Sequence, residues 1–552
     1  MLSFAPRTDL ETHRVENQPP PLAGRNLYLT DLALRDAVRR EAGGWLERRA
    51  EALGAAVGTE EVLAWGEDAN RHPPEFTPFD RYGRRLDEVK FHPSYHALMR
   101  LAMDHGIHDV AWSVDAPARH AGHAVLLALF TQAEAGVMCP IDMTYASIPA
   151  LRHQPDVTQP WLDKLLGGRY DPALGPIADK AGITLGMAMT EKQGGSDVRA
   201  NTTRAFPLGD GAYRLVGHKW FCSAPMSDGF LTLAYAEGGL SCFLVPRITP
   251  DGERNGLQVM RLKDKLGNRS NASSEIEYHD AFAWRLGEEG AGVKVIIDMV
   301  HHTRLGTVAG TLGIMRRALA EAVNHTTGRR AFQKALIDQP AMGAVIADLA
   351  LEYEAAAALV LRVSRAFGDA DAQGRAFARL AVALTKYWLT KRCSNFVYEC
   401  MECHGGVGYV EETPMPRLFR EAPLNAIWEG SGNVIALDVL RTLRREPAAL
   451  EAYMAEVGLA RGGDAGLDRA VDALQTAALA TSGEAEARGL CERMALVLQG
   501  ALLVRHAPAA VSDAFCARHF GTGGFGTGGG LSYGALPPGL DIGAIVDRQR
   551  MD

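Results

Sequence analysis

Glu429 is the side chain whose neighbours best suit it to act as a proton-abstracting base. It lies in Asn425-Ala-Ile-Trp-Glu-Gly-Ser-Gly-Asn433, between an aromatic ring and a glycine. A carboxylate against an apolar wall such as Trp428 keeps its proton to higher pH than one in water. Gly430 has no Cβ to restrict the turn that would aim the acid into a pocket. Ser431 and Asn433 add short polar groups for a ligand. The same pattern also describes an acidic residue in the first turn of a helix, where the dipole favours it, so the rest of the chain has to decide.

A second stretch with chemical potential is Met187-Ala-Met-Thr-Glu-Lys-Gln-Gly-Gly-Ser-Asp197. Thr190 and Ser196 offer hydroxyls, and Gly194-Gly195 lets backbone amides approach a flat or phosphorylated ligand. A third is Lys219-Trp-Phe-Cys-Ser223, aromatic rings beside a hydroxyl at a strand end. Other patterns are weaker. Cys400-Met-Glu-Cys403-His404 spells a c-type haem attachment pattern, but no export segment opens the chain and no second cysteine pair supports a metal. No metal site is expected. Gly521-Thr-Gly-Gly-Phe-Gly526 spells a dinucleotide fingerprint without the strand and helix that would make it one; a flexible loop is expected there. His301-His302 is read as packing near a helix start.

These segments need a scaffold. A chain of 552 residues is too long for one core and implies several domains. Its formal net charge of −8 gives no whole-chain reason to bind nucleic acid or an anionic membrane. Eight cysteines in such a length are no disulfide framework, and no uncharged apolar run is long enough to span a bilayer. A cytoplasmic protein with reduced thiols is expected. Residues 1–30 read as an extended arm marked by Pro19-Pro20-Pro21. Helical composition follows to about residue 181. Strand-like runs, Tyr213–Ser223, Phe230–Ala236 and Ser241–Pro246, place a β-domain at 182–294. Unbroken helical stretches then predict a four-helix bundle over 295–446, and two or three more helical stretches fill 447–552. The order α, β, α predicts an α+β protein built in separate layers and disfavours an alternating dinucleotide-binding fold.

Taken together, the motifs resemble the acyl-CoA dehydrogenase family of flavoproteins, over most of residues 90–445. Ala188-Met-Thr-Glu-x-x-Gly-Gly-Ser-Asp-x-x-Ala200 fits its first signature, and Glu402-x-x-Gly-Gly-Val-Gly-Tyr-x-x-Glu412 with Arg417 and Glu421 fits its second. The resemblance implies bound FAD, α,β-dehydrogenation of an acyl-CoA thioester, and Glu429 as the α-proton base with hydride passing to flavin N5. It implies that Met187, Met189 and Thr190 line the flavin pyrimidine and that Gly195 and Ser196 reach the diphosphate. It also places Phe221 against the ring, Ser223 at N5, and Trp428, Ser431 and Asn433 around the flavin. Arg329 and Phe332 resemble the pair that reaches the FAD of a neighbouring subunit, with Gly405-Gly406 as the bed for its other end, which implies a homotetramer. Arg304 is the expected substrate contact. Thr303, at a position where some relatives carry an alternative base, cannot ionise and leaves Glu429 without a rival.

The arm Thr12–Leu22, the segments Asn26–Asp31 and Leu262–Ala272, and the extra C-terminal region resemble the alkylation-response members of that family. That likeness implies weak dehydrogenase activity and, as the alternative function, DNA binding through the C-terminal region. Residues 446–552 hold eight arginines, no lysine and thirteen acids, a balance of −5. Phosphate binding needs cations, so this balance disfavours DNA.

Overall fold

The computed structural model describes residues 6–368, 371–480, 483–521 and 532–550. Its class is the one expected: a helical N-terminal part, a β middle, a helical bundle and further C-terminal helices. Helices α1 (Leu32–Glu41), α2 (Gly44–Val57) and α3 (Glu60–Arg71) lead into a β-hairpin, β1 (Glu75–Phe79) and β2 (Arg85–Lys90). Then come α4 (Pro93–Asp104), α5 (Val110–Ser113), α6 (Arg119–Thr131), α7 (Met138–Leu151) and α8 (Pro155–Leu165). The hairpin is absent from the sequence reading, because its strands alternate polar and half-buried residues and carry little apolar signal.

Local chemistry sets many of these ends. Thr59 caps α3 by accepting the Val62 N–H, two glutamates fill its first turn and Arg71 its last, each complementing the helix dipole. Helices α6 and α7 have no polar face: every residue of α6 from His120 to Thr131 is buried, and so is nearly all of α7. Such helices belong inside a core.

The middle strands are β3 (Leu185–Ala188), β4 (Arg204–Gly209), β5 (Ala212–Ser223), β6 (Gly229–Ala236), β7 (Gly239–Pro246), β8 (Leu257–Leu262) and β9 (Ser273–Leu286). They run in the order β3-β6-β4-β5-β9-β7, with β8 on β9, and β7 also pairs with β6, so the sheet curls back on itself. The three strands read from the sequence correspond to β5, β6 and β7.

The bundle consists of α9 (Gly292–Gly328), α10 (Pro340–Phe367), α11 (Ala372–Glu402) and α13 (Gly432–Arg445), with the short α12 (Met415–Glu421). The minimal hairpin β10 (Arg330–Ala331) and β11 (Lys334–Ala335) follows α9. From Pro447 onward the described residues form five helices rather than two or three: α14 (Pro447–Gly458), α15 (Ala465–Ala480), α16 (Ala487–His506), α17 (Ala509–Phe520) and α18 (Ile542–Asp547). Helices α14, α16, α17 and α18 pack on α10 or α11, and α15 packs on α16 and α17. The glycine-rich segment read as a loop lies, beyond Gly521, outside the described residues.

The joint between the N-terminal helices and the bundle is very close. A β-carbon on Gly306 of α9 would stand 1.7 Å from Asp142 Oδ1, and one on Gly313 would stand 2.4 Å from the Ala128 carbonyl oxygen. The extended arm crosses α9 farther along, where Asn324 donates to the Pro20 carbonyl at 2.9 Å. Gly313→Val should therefore force α6 off α9 and cost about 1–3 kcal/mol or more, the usual range for overpacking. A clear drop in thermal midpoint checks this. Gly44→Ala, where an added β-carbon meets nothing within 4 Å, should leave the midpoint unchanged.

Candidate active site

Glu429 adopts a left-handed backbone, φ 56°, and Gly430 follows at φ 102°. For a residue with a side chain this conformation costs about 1–3 kcal/mol and needs surrounding support. Two buried cations supply it by gripping three successive carbonyls. Lys386 Nζ, from the middle of α11, donates to the Trp428 carbonyl at 2.8 Å and to the Gly430 carbonyl. Arg304 Nε, from α9, donates to the Glu429 carbonyl at 3.3 Å. Arg304 is fixed in turn by Asp438 at 2.8 Å, which also pairs with Arg379 at 2.9 Å. Burial works against the Asp438 charge, but the two arginines outweigh it and hold its carboxyl down at about 2. Arg304, expected from the resemblance to touch substrate, is here committed to shaping the Glu429 turn.

The Glu429 carboxylate accepts a hydrogen bond from Thr303 Oγ1 at 2.5 Å. Burial raises its pKa above the ordinary glutamate value, and the Thr303 bond and the charges of Lys386 and Arg304 offset only part of that rise. Burial also pulls Lys386 down to about 7. Beyond Thr303 sits a layer of neutral buried groups. Burial lowers His123 and His302 to about 4 each and pushes Asp142 well up. The charge of Glu429 adds to the rise at Asp142, which marks the two acids as neighbours. His301 and His302 are half-buried on α9, and His302 Nδ1 lies 2.8 Å from the Asp298 carbonyl oxygen.

Trp428, Met187 and Met189 all pack against one apolar cluster built from α7, α8 and the middle strands. Trp428 Nε1 donates to Asn425 Oδ1 at 3.0 Å, which sets its ring. Phe221 and Ser223 occupy the end of β5, alongside β9. Phe221 is 52% exposed, and Ser223 Oγ lies 3.5 Å from Ser273 Oγ. Ser431 and Asn433 are exposed at the start of α13, and Ser431 makes no capping bond there.

The loop after β3 turns on Glu191, a residue the sequence reading left without a role. It is fully buried and accepts from Lys219 Nζ at 2.8 Å, Thr202 N at 2.6 Å, Thr203 Oγ1 at 2.6 Å and Gln193 Nε2 at 2.7 Å. Burial would raise its pKa, but Lys219 and these donors hold it near 2. Gly195 then passes so close to Thr190 that a β-carbon would fall 2.6 Å from its hydroxyl, while Ser196 stays exposed. Arg417 and Glu421 are likewise braces. Arg417 donates to the Ala133 carbonyl and to Glu67, each at 2.8 Å, and Glu421 accepts the Asn268 N–H at 2.7 Å.

Two further features lie apart from Glu429. The β10–β11 turn has Phe332 at φ 49° and Gln333 at φ 68°, and it presents a Phe332 that is 92% exposed. Asn17 of the arm holds the hairpin base through both the N–H and the carbonyl of Arg330, and Arg329 donates to the Asn17 carbonyl at 3.0 Å. Gly405, at φ 63°, and Gly406 face open space, with nothing within 4 Å of an added β-carbon. Cys400 and Cys403 are buried free thiols, and no cluster of metal-binding side chains occurs among the described residues.

Comparison with known proteins agrees with this arrangement. The sequence matches the Adaptive response protein AidB N-terminal domain over residues 17–172, the acyl-CoA dehydrogenase middle domain over 186–281 and the acyl-CoA dehydrogenase C-terminal domain over 290–443. It is 46% identical to the Escherichia coli K12 protein AidB over 509 residues, 92% of this chain and 94% of that one. The chain belongs to the acyl-CoA dehydrogenase family. Within it the chain is AidB-like. Acyl-CoA dehydrogenase family member 11 of Caenorhabditis elegans is 31% identical over 81% of this chain and 78% of its own. The crystal structure of that worm's ACDH-11 with C11-CoA superposes with TM-score 0.82 at 27% identity, covering 93% of this chain and 92% of that one. Butyryl-CoA dehydrogenase from Megasphaera elsdenii, at 20% identity and TM-score 0.58, shares the fold over 75% of this chain and 98% of its own.

Lys386 is the site residue that sequence reading missed. Its signal was a lone lysine inside the apolar run Ala381–Leu389, where a charge needs a buried partner. For the neighbouring loop, Lys219→Met should leave Glu191 charged and buried without its cation. Breaking such a pair typically costs about 3–5 kcal/mol, so thermal melting should show a markedly less stable protein.

Proposed function

We propose that this family member is an FAD-dependent acyl-CoA dehydrogenase in which Glu429 removes the α-proton of the thioester. The observation that carries the reading is the Glu429 carboxylate, held on a left-handed turn by Lys386 and Arg304 with its pKa raised by burial. A base of this kind needs a pKa shifted toward working pH and a fixed direction. The C11-CoA complex of the ACDH-11 neighbour supports an acyl-CoA as the substrate class.

The residues present fit a flavin. The rings of Phe221 and Trp428 and the side chains of Met187 and Met189 offer apolar surface, and Thr190 and Ser223 offer hydroxyls. Gly195 and Ser196 offer a close backbone approach, and Ser431 and Asn433 lie exposed at the edge. Gly405-Gly406 form an open backbone bed, and the exposed Arg329–Phe332 hairpin has the form of an element that completes the site of another copy in a homotetramer. When bound, the flavin supplies hydride acceptance. Within this chain, Lys386 and Arg304 fix the turn, and Thr303 tunes the carboxylate and holds its rotamer. Trp428 and Met189 keep water from the α-carbon.

Glu429→Gln should keep the yellow chromophore but lose acyl-CoA-dependent bleaching under anaerobic conditions, by about 10²- to 10⁴-fold in rate. Bleaching at the wild-type rate would remove Glu429 from the role. Thr303→Val deletes a hydrogen bond that favours the charged form, so the Glu429 pKa should rise further. The acid limb of kcat/KM should then move to higher pH, since the ionised base is lost earlier as pH falls.

A further inference from the structure

A cleft of about 690 Å³ lies away from the residues around Glu429, walled by Arg49 of α2, the end of α4, the loop Gly106–Asp109 and the loop Gly167–Tyr170. Three arginines line it: Arg49, Arg100 and Arg169. All three are exposed and none has a carboxylate within ion-pair distance among the described residues, whereas the buried Arg304, Arg417 and Arg518 each have one. Its two acids do not neutralise them. Asp109 is buried, and its Oδ2 accepts the Gly167 N–H at 2.8 Å, which ties the two loops together. Asp104 stands exposed at the rim. His108, 1% exposed, forms part of the floor, beside the backbone of Leu165 and the carboxylate of Asp109.

The cleft is separate from the Glu429 region. The His123 ring stands between them, with Nδ1 toward the Ile107 carbonyl at 2.7 Å on the cleft side and Nε2 toward Asp142 at 3.2 Å on the other. We infer that this cleft is a second binding site, for a small molecule carrying an oligophosphate group. Three unpaired guanidiniums on a concave wall suit several phosphate oxygens held by bidentate bonds. The volume lies within the range typical of small-molecule sites, and the enclosing loops leave room for a compact ligand rather than an extended polymer. Tyr170, whose hydroxyl is already held by His96 at 2.8 Å, offers a fixed ring beside the arginines.

The test uses the full-length, flavin-loaded protein and titration calorimetry at low ionic strength. The probes are inorganic tripolyphosphate, ADP and a short single-stranded oligonucleotide, with citrate as a non-phosphate polyanion. Binding of tripolyphosphate or ADP that weakens at least tenfold in Arg100→Glu/Arg169→Glu, and not in Arg81→Glu on the exposed hairpin, is the expected result. A thermal midpoint matching wild type shows that the double variant is folded; if it fails to fold, Arg49→Ala read in the same way takes its place. No binding of either phosphate probe, equal weakening by the Arg81 control, citrate binding as tightly as tripolyphosphate, or binding of the oligonucleotide alone would each overturn the proposal.

Discussion

Three consecutive peptide carbonyls, those of residues 428 to 430, point at two buried cations, and the Glu429 region depends on that arrangement. A left-handed glutamate does not persist unaided. Lys386 comes from α11 and Arg304 from α9, so the turn is shaped only when both helices are in place. The grip also has an electrical side. The cations that hold the backbone lie near the carboxylate and favour its charge, while burial disfavours it more strongly, so the acid is tuned upward.

The same economy recurs at the sheet. The single carboxylate of Glu191 accepts hydrogen bonds from Lys219, Gln193, Thr202 and Thr203, and the loop that carries Gly195 and Ser196 hangs from it. Several residues that stand out in the family signatures are therefore braces. Glu191, Arg417 and Glu421 hold the backbone that presents shorter side chains.

Much of this architecture was legible in the sequence because its signals are local. Long helices such as α10 and α11 announce themselves by unbroken composition, and β5 to β7 by runs of branched and aromatic residues between turn glycines. The Glu429 stretch was legible for the same reason. What escaped was nonlocal or quiet. The β1–β2 hairpin has few apolar residues to alternate. The positive φ of Glu429 itself is imposed by distant cations, and no neighbour in sequence encodes it. The pairing of Arg304 with Asp438, 134 residues away, is invisible to spacing. Spacing likewise gives no sign that Arg505, Arg518 and Arg548 close ion pairs with Glu456, Asp348 and Glu354.

The anchor of α18 reaches across almost the whole polypeptide. Arg548 meets Asp36, 512 positions earlier, and Gln549 meets Arg316, whose other nitrogen holds the Thr30 carbonyl. Early helices thus wait on late ones. During synthesis α1 emerges 512 residues before Arg548, so the contact that joins them is among the last the chain can make. Contacts of such long range slow the final assembly.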